Sequence, residues 1–115
     1  MLNVILDDLE EAFNAAGVLA TRDPARVRTP GVWLALNSLD GYRLDGSMDA
    51  LIDVILIVAD TDIPRAIERL SILLEDVMPV VGGMIVSSDL GTNATLPDGS
   101  VCPAFRLTIS TQGVQ

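Results

Sequence analysis

Met48-Asp49-Ala50-Leu51-Ile52-Asp53-Val54-Ile55-Leu56-Ile57-Val58-Ala59, followed by Asp60-Thr61-Asp62-Ile63-Pro64, is the stretch that decides the fold. Side chains alternate across a strand, so the even positions from Met48 to Val58 line one wholly apolar face. The odd positions run Asp49, Leu51, Asp53, Ile55, Ile57, Ala59, a face that starts wet and ends dry. The dry end needs cover, from a helix of the same chain or from a neighbouring subunit. Thr61 and Asp62 then supply a helix N-cap, and Pro64 sits in the first turn, where its missing N–H does no harm. Ile63, Ala66, Ile67, Leu70, Leu73, Leu74, Val77 and Met78 make a broad apolar stripe, and Pro79 with Gly82-Gly83 is expected to end the helix.

Toward the N-terminus, Leu2, Ile5, Leu6, Leu9, Ala12, Phe13 and Ala16 recur at helical spacing, with Asp7, Asp8, Glu10 and Glu11 on the opposite, solvated face. Gly17 is placed for a left-handed cap. A short strand is expected at Val18 to Arg22, then a loop or edge segment bracketed by Pro24 and Pro30, then a strand from Gly31 to Leu36 that contains Trp33. Asp40-Gly41 and Asp45-Gly46 suit hairpin turns around Tyr42 and Arg43. Toward the C-terminus, strands are expected at Met84 to Ser88, resuming at Asn93 to Leu96, and at Val101 to Thr111, joined by the turn Pro97-Asp98-Gly99. Residues 112–115 are expected to fray. The order α-β-β-β-α-β-β with short connections predicts one α+β domain over residues 1–115: a two-layer, mostly antiparallel sheet with both helices on one face.

The composition narrows the function. The 115 residues include no His, no Lys and one Cys, and 50% are hydrophobic, yet the net charge is -9. A mean hydropathy of +0.46 is high for so charged a chain; such a chain commonly hides apolar surface against other subunits. At this length folding buries roughly 65% of the unfolded surface without staples. One Cys excludes an internal disulfide framework, and so few Cys and His exclude the usual zinc sites. The acidic balance opposes binding to phosphate backbones and anionic membranes. The N-terminal residues lack a basic signal-peptide segment, and the run Leu51 to Ala59 is too short to span a bilayer, so a cytoplasmic site of synthesis and assembly is expected.

Chemical equipment is sparse. Without His the commonest general base is missing. Cys102 beside Pro103 in an alternating strand reads as an inert small residue, since a nucleophilic thiolate needs an activating base or cation. Asp60-Thr61-Asp62 reads as a helix cap or as an oxygen-rich cation site. Gly82-Gly83 lacks the downstream pattern of a phosphate loop. No catalytic residue, metal ligand or cofactor is expected, and the chain is read as a structural or assembly protein. Arg22, Arg26, Arg28 and Arg43 cluster in an otherwise acidic molecule; they either form a subunit interface or balance local acids. Trp33 reads equally as interface centre or core. With Asp49 and Asp53, these residues make up the candidate subunit interface.

Taken in order, the acidic N-terminal helix, Pro30-Gly31-Val32-Trp33-Leu34-Ala35-Leu36, the Asp-Gly region, the run Val54 to Gly82, Thr95-Leu96-Pro97-Asp98-Gly99 and Pro103-Ala104-Phe105-Arg106-Leu107 resemble the tail terminator proteins of long-tailed phages, the siphophages, particularly those of actinobacterial phages. The resemblance covers nearly the full length and rests on fold and turn residues. It implies a small α+β domain that forms a homohexameric ring at the head-proximal end of the tail tube. That ring would end polymerisation of the major tail tube protein and join the tail to the head-neck connector or stopper protein. Genome DNA would pass through without specific binding. The alternatives are another head-to-tail connector (a head-completion or stopper protein), an acidic DNA-mimic inhibitor, and a small regulatory binding module. The DNA mimic needs a regular carboxylate array, whereas the acids here are scattered among apolar runs.

Overall fold

A computed structural model of the chain describes residues 2–40, 48–60 and 62–114. The fold is α+β, with helices α1 (Leu2–Ala15) and α2 (Ile63–Val81) and strands β1 (Ala20–Thr21), β2 (Gly31–Asp40), β3 (Met48–Ile57), β4 (Ile85–Thr95) and β5 (Val101–Val114). The element order is the one the sequence predicts. The five strands form one sheet in the order β1-β2-β3-β5-β4, antiparallel throughout except for the parallel pair β1–β2.

The alternation in β3 sets the layers. Ala50, Ile52, Val54 and Leu56 are fully buried. Their cross-strand neighbours Val32 and Leu34 on β2, and Phe105, Leu107 and Ile109 on β5, extend that buried face across the sheet. Both helices lie on it: α1 contributes Leu9 and Phe13, and α2 contributes Ala66, Leu70, Leu73, Val77 and Val81, to one continuous core. Helix α1 ends as its glycine predicts. Gly17 takes φ +83°, its N–H donates to the Asn14 carbonyl, and the Val18 N–H reaches back to Phe13 at 2.9 Å.

Several boundaries move for identifiable reasons. Strand β1 shrinks to two residues, and the loop after it contains a one-turn 3-10 helix, Pro24–Arg26, capped by Asp23, whose carboxylate accepts from the Ala25 N–H at 3.0 Å. Strand β2 runs past Leu36 because Asn37 is absorbed as a bulge between the pairs Leu36–Ile52 and Ser38–Leu51. Helix α2 passes through Pro79 and stops at Val81. So near the C-terminus Pro79 forfeits only its bond to the Glu75 carbonyl, on an exposed stretch of helix where water can replace it. The buried stripe of α2 is narrower than the sequence suggests, since Ile63, Ile67 and Met78 are exposed. The two expected segments of β4 are one strand with extra residues at Val86 and at Leu90-Gly91. Strand β5 continues to Val114, opposite Met48, beyond the expected end at Thr111. Gly41, Tyr42, Arg43, Asp45-Gly46 and Thr61 lie outside the described residues.

Candidate functional site

The second face of the sheet carries no helix, and its two ends differ. At the dry end Ile57, Ala94, Cys102 and Ala104 form a small second core, against which Val27, Trp33, Ile55 and Leu96 pack. The cover that Ile57 needs therefore comes from the loop before β2 and the turn after β4. Trp33 is half-buried in this cluster, and Cys102 is one of its buried small residues. At the wet end the Asp53 carboxylate accepts from the Thr108 hydroxyl at 2.8 Å and from the Asn37 amide at 3.1 Å. The Asn37 bulge thus hands its side chain to the central strand, and Asp53 links β2, β3 and β5. Asp49 sits farther along β3, opposite Asp40. Between the two ends Arg106 and Asp89 form an exposed cross-strand pair at 3.6 Å.

The Arg residues occupy the β1 edge. Arg22 bonds Asp7 and, at 3.0 Å, Glu10, so it ties α1 to the end of β1. Arg26 is exposed and lies 3.5 Å from Asp23 within its own 3-10 turn. Arg28 is exposed and has no ion-pair partner among the described residues. The corner they occupy is held by close backbone approach: the Val32 N–H donates to the Leu19 carbonyl at 2.8 Å, and a Cβ at Gly31 would stand 2.1 Å from the Arg28 carbonyl oxygen. Leu19 projects from this corner, 59% exposed, beside Asn14, Arg26 and Arg28. The candidate interface therefore divides into two groups. Arg22, Arg26 and Arg28 share the β1 edge, whereas Trp33, Asp49 and Asp53 lie along the open sheet face; Arg43 lies outside the described residues.

At the opposite edge is a feature the sequence reading passes over. Ile63 and Ile67 on α2 and Leu90 in the β4 bulge, each more than half exposed, wall a groove of about 280 Å³ floored by Ala66, Leu70 and Phe105. Two signals for it stand in the sequence: Gly91 inside a strand pattern marks a bulge, and Ile63 and Ile67 sit to one side of the stripe Ala66-Leu70-Leu73-Val77. A larger groove of about 430 Å³ lies on the other flank of α2, between Pro30 and the Arg65, Arg69, Ile72 and Asp76 side chains. Asp60 bonds Arg69 at 3.1 Å, so its carboxylate anchors the start of α2. The turn at Asp98 is drawn tight because its carboxylate accepts from both the hydroxyl and the N–H of Ser100, which holds its pKa below the ordinary aspartate value.

Among the described residues no three His, Cys, Asp or Glu side chains converge as a metal site would require, and no helix is long and apolar enough to cross a membrane. No protein-family model, curated protein or solved structure matches the chain.

Proposed function

We propose that the chain is a structural assembly protein of the tail-terminator kind: a ring-forming subunit at the head-proximal end of a phage tail tube that ends tube growth and joins the tail to the neck. The observation that carries this reading is where the apolar surplus lies. Eleven large apolar side chains among the described residues are exposed, and they are spread over α1, the sheet edges, the flanks of α2, the start of β5 and the far end of β2. A catalytic pocket concentrates apolar lining around a few convergent polar groups. Apolar side chains distributed over several sides of a small acidic domain suit a subunit with several neighbours: copies of itself, a tube protein and a connector.

Negative-stain electron microscopy of the purified protein, alone and with tail tubes, tests the proposal. Six-fold rings, or caps on one end of the tubes, are expected. Protein that stays monomeric and ignores the tubes overturns it. Binding to connector-bearing heads in place of tube ends would transfer the chain to the neck as a head-completion or stopper protein.

A further inference from the structure

The middle of β4 is held to the molecule by little more than its ladder. From Val86 to Gly91 every residue is exposed, so no side chain of this stretch enters either core. The Asp89–Arg106 pair, 3.6 Å apart and about half exposed on both sides, adds little to the backbone bonds. Both ends of the strand, by contrast, are anchored. Ile85 packs against the main core, and Ala94 is buried in the second one beside Cys102. Between the anchors the ladder is broken twice, at Val86 and at Leu90-Gly91, which leaves three pairs between the breaks: Ser87–Thr108, Ser88–Leu107 and Asp89–Arg106. A bulge interrupts the run of hydrogen bonds and bends the strand, so two of them around a short ladder are placed as hinges. The second hinge is satisfied from within: the Gly91 N–H donates to the Asp89 carboxylate at 3.1 Å, a bond that does not depend on β5.

We propose that Val86–Gly91 is a hinged strap, which lifts from β5 while Ile85, Ala94 and both cores stay in place. Opening trades backbone bonds at an exposed edge for bonds to water and takes no buried side chain out of its packing. It therefore belongs at the low end of the local opening free energies of this domain. What the strap uncovers is specific. The β5 backbone from Arg106 to Thr108 loses its neighbour on that side, and Leu90 carries away one wall of the groove over Phe105. Closed, the strap gives that groove two walls; open, it leaves only Ile63 and Ile67 of α2. The device is a property of the fold and holds whether or not the tail reading above does.

Native-state hydrogen exchange followed by NMR, in urea concentrations below the unfolding transition, tests this on the unmodified chain. Amides bonded across the three strap pairs should exchange at least about a hundredfold faster than those bonded between β3 and β5 from Ile52 to Leu56, and with hardly any dependence on urea. Amides bonded between Thr92–Thr95 and Val101–Ala104, beyond the second hinge, should stay about tenfold or more better protected than the strap. If the strap amides exchange at the rate and with the urea slope of the β3–β5 ladder, the segment opens only when the whole domain unfolds and the proposal falls. If all of β4 exchanges together at the fast rate, the strand peels as one piece without hinges, which overturns the proposal equally.

Discussion

The two faces of β3 are made from alternate residues of one strand, yet they end in different states. Its even positions Ile52, Val54 and Leu56 are sealed under two helices, whereas its odd positions pass from a loop-covered apolar end at Ile57 to a hydrogen-bonded polar end at Asp53. The open face is thus finished by the chain itself, with apolar cover at one end and polar satisfaction at the other. The difference locates the spare hydrophobicity: it lies on α1, at the edges of the sheet, on the flanks of α2, at the start of β5 and at the far end of β2, away from the middle of the open face.

Breaking the covered face should cost most. Phe13→Ala empties a fully buried site between α1 and the sheet and should lower stability by about 3–5 kcal/mol in urea unfolding. Gly31→Ala attacks the corner whose Val27 closes the dry end of the open face. Its Cβ would meet the Arg28 carbonyl, and a loss of about 2–3 kcal/mol by the same measurement is expected. At the wet end, Asp53→Ala strands the buried Thr108 hydroxyl and the Asn37 amide, for a loss of about 1–2 kcal/mol that Asp53→Asn should partly recover. Ile67→Ser should change the unfolding free energy by less than about 0.5 kcal/mol, because that side chain stands outside the core. The smallest effect lies at the β4–β5 turn. The folded-state pKa of Asp98 is depressed, so its contribution to stability is present above the ordinary aspartate value and lost as pH falls through the folded one. Carboxyl NMR titration should find that pKa low in the wild type and raised toward the ordinary value in Ser100→Ala.

Periodicity made the layers legible. The alternation from Met48 to Val58 and the spacing of Leu9 with Phe13 depend on local geometry, and the buried faces follow them. What needs register was hidden. Nothing near Asp53 in the chain announces Thr108, 55 residues away, or the Asn37 bulge that brings the amide within reach. The Leu90-Gly91 bulge reads as a gap between two strands, because pattern alone cannot distinguish an extra residue from an interruption. The breadth of the α2 stripe was overestimated because Ile63 and Ile67 satisfy helical spacing while facing the rim of the sheet. Of the candidate interface, the Arg cluster at the β1 edge was visible as a run of charge, but the groove at the other edge only appears once α2 and β4 are brought side by side.

The molecule measures 49 × 28 × 25 Å, and the two ends of its sheet are unlike. One end of the sheet gathers the start of α2, the loop before β2 and the β4–β5 turn, whereas at the other β2, β3 and β5 run on past the start of β4, with Leu36 and Leu39 exposed. Copies set side by side with their strands aligned would therefore present two dissimilar surfaces. A stacking partner shaped for either would not fit the other, so an assembly of this kind would carry its own arrow.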